Sequence, residues 1–540
     1  MKKSTICQFV IVIMTLLSFG TVCQIDAQNI KPKDIVILYD NDVHCAIDGY
    51  ARMAGERDMI KNQTQNIALV SCGDFVSGNV YGSAKKGEYI AEIMNVVGYD
   101  FVTLGNHEFD YRIPQLMKFT EKLTAKTICC NFRKIDDGKA VFDGHATKNF
   151  GKVDVAFIGV STPESMTSST PAYFKDENGK FAYTFCQDRL FEIVQNEVDQ
   201  ARQEGADYVV VLSHLGDVGS APTSLQLISH TSGIDVVLDG HAHSEIPQQT
   251  VLNSKGKKVV LSSTGTAFAN VGRLIIKSNG HISTELIPAD EIFYNSKVSF
   301  WVNAVKDKVE AAGRREIGTS AVNQSINDEA GNRIVRKLEC SLGDFCADAY
   351  RMTQNTDIGW CNGGSIRADL PAGKITLNSL LAVFPFNSQA AVGEVTGQAV
   401  LDALEMAARR CPVDNGGFAQ VSGLQYEIDT TIKSSVIVDG NGVFVSVDGP
   451  RRVHHGTVLD KTTGEYTPIV PTKRYTIASS AYVLRDNGDG VVFPNIVITK
   501  DAVCSDAEIL ETYLTKNLNK KIGAEYAVPQ GRIIVGDGRK

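Results

Sequence analysis

A basic excess is missing from this sequence: among 540 residues, 54 Lys and Arg stand against 62 Asp and Glu, a formal net charge of −8. That balance argues against non-specific binding to nucleic acid polymers or to an anionic membrane. It leaves room for a local cationic site that takes a small anionic substrate. Internal repeats and low-complexity tracts are also missing, and with 43% apolar and 21% charged residues the chain has ordinary globular composition, which excludes a disordered protein. No apolar run reaches the roughly 20 residues a bilayer-spanning helix needs. The segment 533–540 is polar, which argues against a lipid-anchored tail. The twelve cysteines include no C-x-x-C pair. Neither the adjacent Cys129-Cys130 nor the six-residue spacing of Cys340 and Cys346 reads as a zinc knuckle or a disulfide framework, so most of these thiols are expected to be buried and free, or to form one or two bridges.

What is present begins at the N-terminus. Lys2 and Lys3 precede an apolar run at 9–19, and the small residue Ala27 stands before Gln28. This is the pattern of a cleaved signal peptide over 1–27, so the mature chain is expected to be exported, periplasmic or secreted, with no stable membrane span. A lipoprotein reading through Cys23 is weaker, because Val22 stands where a small residue is wanted.

The first half repeats one arrangement. A short run of apolar, often β-branched residues ends, and polar residues able to bind metal follow at once. The run at 35–39 leads into Asp40-Asn41-Asp42-Val43-His44, and that at 67–70 into Ser71-Cys72-Gly73-Asp74. The run at 101–104 leads into Gly105-Asn106-His107-Glu108-Phe109-Asp110, that at 208–212 into Ser213-His214-Leu215-Gly216, and that at 234–238 into Asp239-Gly240-His241-Ala242-His243. Such runs read as strands buried on both faces, with helices between them at 88–97 and 188–204. Alternating strands and helices indicate an α/β fold, in which sites gather beyond the carboxyl ends of strands. Near 295–313 the pattern changes to a charged amphipathic helix that joins two units. The resulting division is 28–300, a linker helix at 301–325, and 326–540, in keeping with roughly 150 residues per domain. The second unit shows helical stretches at 342–352 and 397–409 and strand-like runs at 423–428, 443–447 and 475–479.

Histidine is scarce, ten residues in all, yet five of them (His44, His107, His214, His241 and His243) fall inside those five motifs. A single histidine after a strand is usually a hydrogen-bonded loop residue; five strand ends loaded alike point to shared chemistry. Two divalent ions about 3.5–4 Å apart need oxygen and nitrogen ligands and one bridging carboxylate. Asp42 and His44 offer a carboxylate and an imidazole from one loop. Asp74, after Gly73, suits the bridge. Asn106 offers a neutral oxygen, and His214, His241 and His243 supply imidazoles.

These motifs, DNDVH, GD, GNHEFD, SHLG and DGHAH in this order, resemble the calcineurin-like metallophosphoesterase superfamily, and LYDNDVH with GNHEFDY is similar to the secreted 5'-nucleotidases. The resemblance covers nearly the whole mature chain. It implies a layered α/β/β/α metallophosphoesterase domain plus a smaller α+β C-terminal nucleotide-binding domain. It assigns Asp42, His44, Asp74 and His243 to one ion and Asp74, Asn106, His214 and His241 to the other, the ions being Zn, Mn, Fe or Co. It makes His107 and Asp110 a catalytic pair. Cys45 stands where the family usually has glycine, which would alter the loop and make it sensitive to oxidation. In the second half, Asn362-Gly363-Gly364-Ser365-Ile366-Arg367 resembles the family's substrate loop, and Phe386 matches a position that stacks on a base. A second stacking aromatic precedes Asn487-Gly488-Asp489-Gly490; it is Tyr482, with Val483 at the unshifted spacing. A further substrate arginine corresponds to Arg336, with Arg333 second. The implied substrate is a nucleoside 5'-monophosphate, hydrolysed to nucleoside and phosphate. A rotation between the two units, about the linking helix, would carry it to the metals. A UDP-sugar or dinucleotide pyrophosphatase, or a 2',3'-cyclic nucleotide phosphodiesterase with 3'-nucleotidase activity, would use the same metal set. A catalytically silent nucleotide-binding surface protein is the non-enzyme alternative, against which the intact ligand set and His107 argue. Oligomeric state, base preference and metal identity stay open.

Overall fold

The computed structural model describes residues 30–169, 171–176, 180–219, 222–386, 388–501 and 503–536. The expected signal peptide at 1–27 lies outside the described residues. Five strands carry the motifs: β1 (Ile35–Asp40), β2 (Ile67–Ser71), β3 (Phe101–Val102), β4 (Tyr208–His214) and β5 (Val236–Leu238). β1, β2 and β3 pair in parallel within one six-stranded sheet, and β4 and β5 pair in parallel within another.

The apolar runs explain the layering. In β1, Ile35, Ile37 and Tyr39 point into a core shared with Val210 and Leu212 of β4 and Val236 and Leu238 of β5. The alternate residues Val36 and Leu38 pack under the helices Gly49–Lys61 and Glu88–Val97. On the other sheet, Val209 and Val211 face the helix Leu190–Gln203 through Ile193, Val194 and Val198. Period-2 alternation with both faces apolar therefore gives two sheets face to face with helices outside each, an α/β/β/α sandwich. β3 is shorter than the apolar run suggests because the chain turns at once into the Gly105-Asn106 loop; Thr103 still donates its N–H to Ser71 at 3.0 Å.

The joining helix spans Ser296–Gly313, beginning before 301 and ending well short of 325. The Asn295 side chain accepts the N–H of Val298 at 2.9 Å and caps it. Val298, Val302, Val305 and Val309 form a stripe buried in the core of the first unit. At its far end the Glu310 carbonyl accepts from Asn378 of the second unit at 3.0 Å. Residues Glu316–Ser320 already form a strand that pairs with Gly373–Thr376. The second unit is α+β. Its five-stranded sheet has β6 (Ile358–Asn362) between Ala419–Ser422 and Arg474–Ser480. The helices Ser341–Gln354 and Gly397–Ala408 lie in the cores on its two faces.

The ten cysteines from Cys45 to Cys504 are all free, so no disulfide occurs among the described residues. No helix of the described residues is long and apolar enough to cross a membrane.

Candidate active site

The loops that leave the five strands converge. Their backbones are unusual: Asp42, His44, Cys45, Asp74, His241 and His243 all have φ between 46° and 78°. Non-glycine residues rarely occupy this left-handed region, and such strain concentrates where a side chain must be aimed. The approach is also close. A Cβ on Gly105 would lie 2.2 Å from Asp74 Oδ1 and 2.7 Å from His214 Cε1, so only glycine lets these loops meet.

Within the cluster, Asp74 Oδ2 lies 3.2 Å from His214 Nε2 and 3.8 Å from His44 Nε2. Asp42 Oδ1 lies 3.4 Å from His243 Nε2 and 3.8 Å from His214 Nε2. His44 Nε2 and His243 Nε2 are 3.1 Å apart, and His241 Nδ1 is 3.0 Å from Asn106 Oδ1. Three overlapping groups, Asp42–His44–His243, His44–Asp74–His107 and Asp42–Asp74–His214, each place their donor atoms within 4.8 Å of one another.

Asp42 Oδ1 and His214 Nε2 are buried without a hydrogen-bond partner. Burial alone would raise the Asp42 carboxyl, yet His214 and His243 hold it well below the usual carboxylate range. Burial opposes protonation of His214, yet Asp74 and Asp42 lift it to about 10. An orphaned carboxylate oxygen and an orphaned imidazole nitrogen in one buried cluster fit a divalent cation, which would satisfy both. The far ring nitrogens are already fixed: His214 Nδ1 meets the Cys72 carbonyl at 2.7 Å and His44 Nδ1 meets that of Ser77 at 3.1 Å. That leaves Nε2 of each to face inward, the usual arrangement of a ligating imidazole.

His107 stands at the rim. Its Nδ1 is 2.8 Å from Asp110 Oδ2, and its main-chain N–H donates to Asp74 Oδ1 at 2.8 Å. Burial lowers its pKa, but Asp110 and Asp74 outweigh this and hold it above the usual histidine value. Asp110 is itself held by Ser77 Oγ at 2.6 Å and Ser169 Oγ at 2.9 Å.

Sequence reasoning missed three supports. Glu108 is fully buried, and its carboxylate accepts main-chain N–H groups from Gly105, Asp74, Phe75 and Val76 at 2.7–3.3 Å, clamping two of the loops together. Its place in GNHEFD was visible; its four donors, three of them more than thirty residues away, were not. Asn41 donates to Asp42 Oδ2 at 2.8 Å and ties that loop to Thr264 and Gly265. Glu164 sits 2.8 Å from His241 Nε2. One expectation is corrected. Cys45 is fully buried, its Sγ rests 3.4 Å from the Phe75 carbonyl, and burial pushes its thiol far up, so it is an inert filler rather than an oxidation-sensitive group.

The second unit packs against this cluster, and a cavity of about 670 Å³ is lined from both sides. Phe386 lies against His107, ring centroids 5.6 Å apart and planes within 10°. The Arg367 guanidinium lies 5.8 Å from the centre of the Phe386 ring. Burial and Arg333 lower Arg367 to about 10, while Asp74, Asp110 and Asp42 partly offset them. Arg336 also lines the cavity; its Nε is buried without a partner, whereas Arg333 pairs with Asp414 at 3.1 Å. Asn362 donates to Asp489 Oδ2 at 2.8 Å. Tyr482 lines the cavity and Val483 is buried in the core. The Tyr482 ring rests on Gly488, and its hydroxyl donates to the Thr167 and Ser168 carbonyls of the first unit at 3.1 and 3.3 Å. Phe386 and Tyr482 thus both bridge the two units.

Residues 36–245 match the family model described as calcineurin-like phosphoesterase, and residues 316–496 match that of the 5'-nucleotidase C-terminal domain. The chain is 26% identical to the trifunctional nucleotide phosphoesterase protein YfkN of Bacillus subtilis (strain 168), covering 90% of this chain and 34% of that protein, so it spans about a third of that relative's length. It is 24% identical to a 5'-nucleotidase of Diplobatis ommata, covering 95% of this chain and 92% of that one. Among solved structures, a 5'-nucleotidase precursor from Thermus thermophilus shares the fold with a TM-score of 0.77 at 24% identity, covering 94% of this chain and 100% of that one.

Proposed function

Because the chain belongs to the family that joins a calcineurin-like phosphoesterase domain to a 5'-nucleotidase C-terminal domain, and is a metal-dependent hydrolase, we propose that it is an exported enzyme that cleaves nucleoside 5'-monophosphates to nucleoside and phosphate. The observation that carries this reading is the shared cavity: metal-capable side chains and His107 on one wall, Arg336, Arg367, Phe386, Tyr482 and Asp489 on the other. Its volume of about 670 Å³ suits a single nucleotide.

Asp42, His44, Asp74 and His243 would hold one divalent ion, and Asp74, Asn106, His214 and His241 the other. Mixed carboxylate, amide and imidazole donors are compatible with Zn, Mn, Fe or Co. Bound there, the ions polarise the phosphate and lower the pKa of water. His107, oriented and kept protonated by Asp110, stabilises charge on the transferring phosphoryl group or gives its proton to the leaving oxygen. Arg367 would offer a positive charge to the same phosphate, and Arg336 lines the same cavity. The ring faces of Phe386 and Tyr482 would take the base, and Asn362 and Asp489 the ribose.

The direct test is phosphate release by the purified chain from AMP, UMP, ADP, UDP-glucose, 2',3'-cyclic AMP and bis(p-nitrophenyl) phosphate, with and without EDTA and added Mn²⁺ or Zn²⁺. EDTA-sensitive release chiefly from AMP or UMP is expected. Preferred cleavage of UDP-glucose or the cyclic diester would move the substrate assignment while keeping the metal chemistry. Phe386→Ala should raise the KM for AMP about tenfold, given roughly 1–3 kcal/mol for one aromatic face on a base. The KM for p-nitrophenyl phosphate, which has no nucleobase, should change far less. Equal shifts for both would argue against a stacking role.

A further inference from the structure

Each inward-facing histidine needs something to fix its other nitrogen, and His241 differs from its neighbours. His44 and His214 use main-chain carbonyls. His241 instead places Nε2 2.8 Å from the carboxylate of Glu164, while its Nδ1 faces Asn106 Oδ1 at 3.0 Å. With the proton on Nε2, donated to Glu164, two acceptors, Nδ1 and the amide oxygen, converge with no hydrogen between them. Two such lone pairs at that spacing are satisfied by one cation between them. With the proton on Nδ1, the bare Nε2 would face a carboxylate, acceptor against acceptor. An imidazolium would donate to both acceptors; once a cation takes the place of one ring proton, the carboxylate keeps the other on Nε2, so Nδ1 is the ligating nitrogen of His241, opposite to the Nε2 ligation of His44 and His214.

Glu164 is built into place for this. It follows the strand Asp154–Ser161, and its N–H is taken by Thr162 Oγ1 at 3.2 Å. Its carbonyl accepts the N–H of Ser168 at 2.7 Å at the start of the short turn 165–168. From the second unit Arg410 approaches the other carboxylate oxygen, but only to 3.9 Å, with both side chains about 30% exposed. A long, part-exposed ion pair of that kind contributes little, and the contact to His241 is much the shorter of the two.

We propose that Glu164 is a positioning residue of the metal centre: through its contact with His241 Nε2 it sets that ring's tautomer and aims Nδ1 at the ion shared with Asn106. This rests on the dinuclear reading above. Removing a carboxylate behind a ligating histidine lowers metal affinity by about 10–100-fold.

The test is calorimetric titration of Mn²⁺ alone into the metal-stripped full chain, for wild type, Glu164→Ala, Glu164→Gln and Arg410→Ala, with thermal melts to confirm folding. Wild type should take two ions. Glu164→Ala should weaken one of them about 10–100-fold and leave the other unchanged. Glu164→Gln should recover part of the loss, because its amide oxygen still accepts the Nε2 proton. Arg410→Ala should bind both ions as wild type does. The visible spectrum of the Co²⁺-loaded chain should change in Glu164→Ala and much less in Glu164→Gln. Unchanged affinity for both ions in Glu164→Ala overturns the proposal. So does a loss in Arg410→Ala equal to that in Glu164→Ala, which would assign the effect to the pair between the units. A wild-type chain that takes fewer than two ions overturns the dinuclear reading itself. Should Glu164→Ala fail to fold, Glu164→Gln decides: one ion weakened while the other is unchanged, with a small shift of the Co²⁺ spectrum, supports the role, and wild-type affinity for both ions with an unchanged spectrum overturns it.

Discussion

Alanine in place of Asp74 should cost the chain both ion positions together, and nearly all hydrolysis with them. Its Oδ2 lies 3.2 Å from His214 Nε2 and 3.8 Å from His44 Nε2, the two histidines proposed to hold different ions. A carboxylate in that position can bridge. Its Oδ1 also accepts the main-chain N–H of His107 at 2.8 Å, so the substitution frees the catalytic loop as well. Metal assistance is worth several kcal/mol at the transition state, and each 1.4 kcal/mol is a factor of ten, so kcat/KM should fall by about 10³-fold or more. Elemental analysis should find less than one ion per chain. Asp74→Asn separates the two duties: its amide oxygen keeps the His107 contact while the negative charge is lost, and it should be nearly as inactive as the alanine variant. Two ions retained in Asp74→Ala would remove Asp74 from the bridging position.

His107→Ala should fail differently. Metal content should stay at the wild-type value, because His107 lies at the rim and its Nδ1 is engaged by Asp110 at 2.8 Å. The loss should fall on kcat, by about 10²–10⁴-fold, the range for a positioned acid or base. KM should move little, since phosphate would still meet the ions and Arg367. One complication is visible in the structure: Phe386 rests on the His107 ring at 5.6 Å. A loss carried mainly by KM would therefore mean that His107 serves as a platform for Phe386 rather than in the chemistry. Unchanged turnover would leave Arg367 and the ions to stabilise the transition state alone.

How much of this was legible depends on range. The apolar runs before Asp42, Asp74, His214 and His241 form strands because β-branched residues at alternate positions can be buried on both faces of a sheet, and nothing distant is needed to see it. The helix expected over 88–97 forms at Glu88–Val97, ended by Gly98 at φ 85°. The linking helix was legible as a helix but not in its bounds, because its valine stripe is satisfied by the first unit while 316–320 is recruited by a strand of the second. Cys45 read as a reactive thiol in a loop; only the packing around Phe75 and Gly82 makes it a buried one.

The sequence by itself determined the strand-and-loop grammar and the chemical character of each loop, because both are local: burial alternates along a strand, and Asp42 with His44, or His241 with His243, are neighbours in one turn. It also set the residue types a divalent cation and a phosphate require. Tertiary structure alone decided which nitrogen of His241 faces inward, since Glu164 lies 77 residues away in sequence. It decided that Glu108 clamps loops more than thirty residues apart, and that Phe386 of the second unit lies on His107 of the first. Hydrogen bonds and ring contacts between distant segments depend on sub-ångström placement of whole elements. That placement is set by packing the two sheets and the second unit together, and no pattern along the chain encodes it locally.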